Sequence, residues 1–120
     1  MKRKYNVLIV DDEFLARKLL TEYVSKIDYL HIVDTCPDAT KAMEVINNEN
    51  IDILLLDIQM PDISGMEMLK LINNKPSVIL TTAYSEYAVD AFSLGVGGYL
   101  KKPIDYARFL QAINKAVSQK

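Results

Sequence analysis

Cysteine is almost absent. Cys36 is the only one in 120 residues, so no internal disulfide can form, and it reads as a small buried hydrophobe in a chain expected to be cytoplasmic. No apolar run approaches the length of a membrane span, and the amino terminus lacks a secretory pattern, because only Val7 to Val10 are continuously apolar before Asp11 and Asp12 intervene. There is no internal repeat, low-complexity stretch or linker. Charge of one sign is scarce as well: the formal net charge of −2 gives no global attraction to nucleic acid or to an anionic membrane. The basic start, Lys2, Arg3 and Lys4, is short and reads as a solvated end. His31, the one histidine, falls in the weakest predicted strand and reads as structural or exposed.

What is present is a chain of one-domain size, half hydrophobic and a quarter charged, which is the composition of a globular core rather than of disorder. Its pattern alternates strand and helix to the end. Val7-Leu8-Ile9-Val10 is a short apolar run closed by Asp11, as a strand buried on both faces should be. Leu15, Ala16, Leu19, Leu20, Tyr23, Val24 and Ile27 recur at helical spacing. Leu30 to Thr35 predict a second strand. Ala39, Ala42, Met43 and Ile46 mark a second helix with Asp38 as N-cap. Ile53-Leu54-Leu55-Leu56 is the strongest buried-strand run and ends on Asp57. Pro61 to Gly65 carry turn residues, and Ser64 and Glu67 have capping-box spacing for a third helix, around which Met60, Met66 and Met68 should pack. Val78-Ile79-Leu80 predict a fourth strand ending in Thr81-Thr82. Ser85 can cap a fourth helix carrying Ala88, Ala91 and Phe92, with Gly95 as its stop. Tyr99 and Leu100 begin a short fifth strand before Lys101-Lys102-Pro103, and Asp105 can cap a fifth helix with Phe109, Leu110, Ile113 and Val117 inward. Such alternation implies an open, doubly wound parallel sheet with helices on both faces, whose site lies beyond the carboxyl ends of the strands.

Those ends are chemically loaded. Asp11 and Asp12 close the first strand, Asp57 the third, Thr81 and Thr82 the fourth, and Lys102 follows the fifth. Hydrophobic patterning does not require three carboxylates on one rim. They repel one another, and burying them is costly. A hard divalent cation such as Mg²⁺ resolves the conflict, being held by one or two carboxylates with water and phosphate oxygens, and it turns a rim that repels phosphate into one that attracts it. Lys102 and a threonine hydroxyl can then meet phosphoryl oxygens. A carboxylate so placed can accept a phosphoryl group. Asp57, alone at the end of the most buried strand, is the better nucleophile candidate; the adjacent Asp11 and Asp12 look more like metal ligands.

Taken together, Val10-Asp11-Asp12-Glu13, Leu56-Asp57-Ile58-Gln59-Met60-Pro61-Asp62-Ile63-Ser64-Gly65, Thr82-Ala83 and Tyr99-Leu100-Lys101-Lys102-Pro103 resemble the receiver domain of two-component response regulators, over essentially the whole chain. The resemblance implies a flavodoxin-like five-stranded fold, order 2-1-3-4-5, with five helices. It implies phosphorylation of Asp57 by a histidine kinase or a small phosphodonor. Asp12, Asp57 and the Gln59 backbone carbonyl would bind Mg²⁺, with Asp11 holding a metal-bound water. Lys102 and Thr82 would contact the phosphoryl group. Tyr99 would move inward with Thr82 as a switch, changing the face made by the fourth helix, fifth strand and fifth helix, through which the chain could form a homodimer. More narrowly, Thr81 to Phe92 with Lys102-Pro103-Ile104 and Phe109 look like receivers that precede LytTR-type DNA-binding domains, with Gly97-Gly98 as a departure. Residues 1–120 thus read as one receiver domain without its output domain, so DNA would be reached only through that missing part; an excised domain and a stand-alone regulator both fit, and the break after Lys120 slightly favours excision.

Competing readings are an interaction-only receiver, an aspartyl-phosphate phosphatase and a flavin or nucleotide carrier. A phosphatase would need a second acid two residues after the nucleophile, where Gln59 stands and cannot act as one. A carrier would need a phosphate cradle after the first strand, where Asp11-Asp12-Glu13 would repel the ligand. Gln59 and Tyr84 are expected to flank the site and to gate attacking water.

Overall fold

Five apolar segments line up as one parallel sheet. In a computed structural model describing residues 4–72, 76–83 and 95–120, the strands are Tyr5–Val10 (β1), Leu30–Cys36 (β2), Ile53–Asp57 (β3), Ser77–Thr82 (β4) and Gly98–Lys101 (β5), in the order β2-β1-β3-β4-β5. Between and after them run Phe14–Ser25 (α1), Ala39–Asn48 (α2), Gly65–Leu71 (α3) and Tyr106–Ser118 (α4, the fifth predicted helix). The fourth predicted helix, with Tyr84, Ser85, Ala88, Ala91 and Phe92, lies outside the described residues. Gly95, expected to end it, has φ of +76°, the left-handed conformation glycine adopts without a Cβ clash. No described helix is long and apolar enough to cross a membrane.

Alternation along each strand divides the interior in two. Leu8, Val10, Leu54, Leu56, Val78 and Leu80 face Ala39, Ala42 and Val45 of α2 and Met68 and Leu69 of α3, with Met60 and Met66 partly buried against them. Their neighbours Val7, Ile9, Ile53, Leu55, Ile79 and Leu100 face Leu20 and Val24 of α1 and Phe109, Ile113 and Ala116 of α4. A strand covered on both faces needs apolar residues at every position, which is why β1 and β3 read as unbroken runs. Each fully buried aliphatic side chain contributes about 1.5–3 kcal/mol relative to exposure.

The predicted caps are in place. Asp38 accepts the Lys41 N–H at 2.9 Å, Ser64 the Glu67 N–H at 3.1 Å and Asp105 the Arg108 N–H at 2.8 Å. The helical stripe of α1 is shorter than its spacing implied. Ile27 is buried beyond the helix end, and Leu15 is 75% exposed. The reason is positional: the first turn of α1 stands at the rim, past the sheet that the rest of the stripe covers. His31 is exposed and Cys36 fully buried, its thiol pushed up to about 11 by burial and then by Asp34.

Candidate functional site

The strand order reverses between β1 and β3, and the crevice there collects the acidic residues. Val10 pairs with Leu56, so Asp11 and Asp57 leave their strands at the same level. Asp11 is fully buried and Asp57 is 4% exposed, while Asp12 is exposed. One carboxylate oxygen from each of Asp11, Asp12 and Asp57 lies within 4.8 Å of the others. Asp12, Glu13, Asp57, Gln59, Ala83 and Lys102 line a cleft of about 160 Å³ over this cluster.

The local chain geometry follows from a few contacts. Asp11 Oδ1 accepts the Glu13 N–H at 2.9 Å, turning the chain into α1. The β3–α3 loop is closed at its base by Gly65, whose N–H donates to the Ile58 carbonyl at 2.7 Å. A Cβ on Gly65 would collide with the Asp57 carbonyl, so only glycine permits this approach. The Gln59 N–H reaches Asp57 Oδ1 at 3.4 Å.

Lys102 is the cation of the cluster. Its Nζ lies 2.8 Å from Asp11 Oδ2, 3.5 Å from Glu13 Oε1 and 3.6 Å from Asp57 Oδ1. Burial alone would lower its pKa, but the hydrogen bond and charge of Asp11, then the charges of Asp57 and Glu13, raise it. Asp57 is pushed up to about 7, first by burial and next by the charge of Asp11, with Lys102 and the Gln59 amide opposing the rise. Among the described residues, three carboxylates meet one ammonium and Asp12 stands beside two of them, which leaves a strong local excess of negative charge. Oxygen donors at this spacing, with one buried acid resisting ionisation, suit a hard divalent cation.

The structure therefore brings Asp11, Asp12, Asp57, Gln59 and Lys102 together. Thr82 is buried at the end of β4, its carbonyl accepting the Lys102 N–H at 2.7 Å, but it is not among the residues lining the cleft. Tyr99 is half-buried and packs against the α2–α3 core. Thr81 lies level with Asp57 across the β3–β4 ladder, and its Oγ1 is buried with no hydrogen-bond partner among the described residues. Glu13 and Ala83 line the cleft although sequence reading gave them no role; their signal was adjacency to Asp12 and Thr82.

Fold and rim define a flavodoxin-like α/β domain built around a carboxylate cluster. Residues 7–114 match the response regulator receiver domain, and the chain belongs to that family: it is the receiver domain of a two-component response regulator, a phosphoacceptor class served by histidine kinases. It is similar to the transcriptional regulatory protein BtsR of Escherichia coli (strain K12), 42% identical over 104 residues, covering 85% of this chain and 44% of that protein. It is also similar to an uncharacterized response regulatory protein of Vibrio cholerae, 34% identical over 116 residues, covering 95% of this chain and 49% of that protein. The chain thus spans about half the length of the curated relatives it matches. Among solved structures, the response regulatory domain of protein mrkE from Klebsiella pneumoniae superposes with a TM-score of 0.87 at 28% identity, covering 95% of this chain and 96% of that one. A chain of the CheX-CheY-BeF3-Mg+2 complex from Borrelia burgdorferi does so with a TM-score of 0.85 at 31% identity, covering 96% and 90%.

Proposed function

We propose that this chain is a Mg²⁺-dependent phosphoacceptor switch in which Asp57 takes the phosphoryl group. The observation that carries this reading is the buried Asp57 carboxylate held at one level with Asp11 and beside Lys102. An Asp57 oxygen bonds to phosphorus as the bond from phosphorus to a kinase imidazole nitrogen, or to the oxygen of a small donor, breaks; the electron pair leaves with the donor. Asp11, Asp12, Asp57 and the Gln59 carbonyl would hold Mg²⁺, which when bound supplies positive charge to the phosphoryl oxygens. A cation with BeF3 in a structural relative supports that ligand chemistry. Lys102, released from part of its pairing with Asp11, meets another phosphoryl oxygen, and Thr82 turns its hydroxyl toward the group while Tyr99 follows inward.

The same reading makes residues 1–120 one receiver domain acting in the cytoplasm, without turnover of external substrates. Its changed surface is the face of β5, α4 and the predicted helix before β5, which serves a homodimer or an output domain. That output is transcriptional, through a LytTR-type DNA-binding domain outside this chain; similarity to BtsR, of which this chain covers less than half, supports a transcriptional output.

Intact mass after incubation with acetyl phosphate, with and without Mg²⁺, on wild type and Asp57→Asn, tests the reading. The expected result is a single phosphoryl adduct that requires both Mg²⁺ and Asp57. An adduct that persists in Asp57→Asn overturns the assignment. No adduct, together with no binding of beryllofluoride, replaces the switch by an interaction-only receiver.

A further inference from the structure

We propose that Asp62 and Thr40 form a clamp that positions the β3–α3 loop, and with it the Gln59 carbonyl, for cation binding. The proposal rests on the phosphoacceptor reading and deepens it by naming residues outside the cleft that set its geometry.

Asp62 sits at the outer turn of the loop and is exposed, as is Thr40. An exposed carboxylate normally finds water for its lone pairs. This one is instead occupied by protein donors. Its Oδ2 accepts the Thr40 N–H at 2.9 Å and the Thr40 hydroxyl at 2.8 Å, and its Oδ1 accepts the Ala39 N–H at 3.3 Å. The amide of Ile63 donates to it as well. Slight burial works against ionisation, but these donors outweigh it and hold the Asp62 carboxyl well below the usual carboxylate range.

Helix α2 already has its own cap in Asp38, which takes the Lys41 N–H. Asp62 satisfies two different orphan amides of the same first turn, those of Ala39 and Thr40, and reaches them from the loop that follows β3. Capping of α2 therefore does not explain why the second carboxylate comes from the loop that carries Gln59. Positioning of that loop does. Helix α2 is a fixed anchor, since Ala39 and Ala42 are fully buried in the core. Among the described residues the outer half of the loop has few other fixed contacts: Met60 and Ile63 are only partly buried, and the Gln59 amide reaches Asp57 at a long 3.4 Å. Among the described residues, Ile58 ties the base, its carbonyl accepting the Gly65 N–H and its own N–H donating to the Thr81 carbonyl at 3.1 Å, and the clamp fixes the far side. A backbone carbonyl can serve as a ligand only where its peptide plane is already oriented, and partners beyond the direct ligands supply such orientation. Asp62 and Thr40 are thus positioning residues that act through the loop.

The test uses wild type, Thr40→Val, Asp62→Ala, Asp62→Asn and the Thr40→Val/Asp62→Ala double variant. Mg²⁺ binding is followed by calorimetry, the Mg²⁺ dependence of adduct formation by intact mass, and melting temperature in parallel. Asp62→Ala is expected to raise the half-saturating Mg²⁺ concentration by about 10-fold, the lower end of the range for such supporting partners, and Thr40→Val, which removes the hydroxyl bond but keeps both amides, by less. The extent of phosphorylation at saturating Mg²⁺ should be unchanged. Asp62→Asn keeps one acceptor oxygen for Thr40 but turns an NH2 toward the Ala39 N–H, and should fall between wild type and Asp62→Ala. The double variant should match Asp62→Ala, because without the Asp62 carboxylate the Thr40 hydroxyl has lost the partner it holds there. A lowered melting temperature with unchanged Mg²⁺ affinity overturns the proposal and leaves a mere cap. So does an Asp62→Asn variant as weak as Asp62→Ala beside an unaffected Thr40→Val, since that pattern reports charge alone. Failure of wild type to form an adduct counts against the phosphoacceptor reading, whereas the calorimetric titration still decides the clamp.

Discussion

Strand β3 has a buried aspartate at each end. Asp52, just before it, is 6% exposed, and Asp57, its last residue, is 4% exposed. Their surroundings differ. Asp52 Oδ2 accepts the Asn6 N–H at 2.8 Å, while its own amide donates to the Asn6 carbonyl and its carbonyl accepts the Ser77 N–H, both at 2.9 Å. It stitches β1, β3 and β4 together at their amino ends. Asp57 faces Asp11 and Asp12, with one ammonium at 3.6 Å to offset them. Burial of a carboxylate is therefore not a mark of function. A carboxylate matched to an amide is structural, whereas one crowded by its own kind is held for a ligand that is not part of the chain.

The comparison makes opposite predictions for the two ends. Asp52→Ala leaves the part-buried Asn6 N–H without its carboxylate acceptor and should lower stability by about 1–3 kcal/mol. Asp57→Asn relieves repulsion and should raise the stability of the metal-free protein by about 1–3 kcal/mol at pH 8. The pH dependence follows from the sign of the shift. Asp57 is raised from 3.8 to about 7 on folding, so the folded state binds the proton more tightly than the unfolded one. Its contribution is present below about pH 4 and is lost as pH rises toward 7. Urea denaturation in chelator across pH 4 to 8 should show that decline in wild type and not in Asp57→Asn. Equal signs for the two substitutions would end the distinction.

Gly65 offers a smaller perturbation that touches only the Asp57 end. An added Cβ meets the Asp57 carbonyl and lies 3.0 Å from Ile58 Cα, and neither backbone group can swing aside. Gly65→Ala should cost about 2 kcal/mol by overpacking, measured by urea denaturation, and should weaken Mg²⁺ binding because the loop base must open. A loss of stability with unchanged Mg²⁺ binding would show that the loop absorbs the strain without moving Gln59.

Much of this was legible in the sequence. A strand buried on both faces leaves no choice of residue type, so the runs at Val7–Val10 and Ile53–Leu56 announced β1 and β3. The switch-point rule then named the crevice where Asp11 and Asp57 meet. Caps at Asp38, Ser64 and Asp105 were readable because their bonds are local. What sequence did not reveal depends on contacts across the chain. The stripe of α1 could not show that Leu15 overhangs the rim. Nothing in the isolated run Pro61-Asp62-Ile63 points to α2, since the partner amides of Asp62 lie 22 and 23 residues away. Asp52 and Asp57 also look alike as letters beside an apolar run; only their neighbours separate them.

The weakest of these effects concerns Asp11, another acidic ligand candidate. Arg17 Nη1 donates to the Asp11 carbonyl at 2.8 Å, and the Asp11 amide donates to the Cys36 carbonyl at 3.0 Å. The backbone that carries Asp11 is held from β2 on one side and from α1 on the other. Arg17 also lies 5.9 Å from the centre of the Phe14 ring, which supports the exposed first turn of α1. Arg17→Gln should cost only about 1 kcal/mol, the usual contribution of one hydrogen bond, because the tie to Cys36 remains. Mg²⁺ half-saturation should rise by no more than about threefold, below the range for a sole supporting partner. A shift as large as that of Asp62→Ala would mean that the β1 end of the crevice has no reserve of its own. The distinction between a structural and a crowded aspartate would then have to extend to Asp11, whose carboxylate is crowded while its backbone is bound.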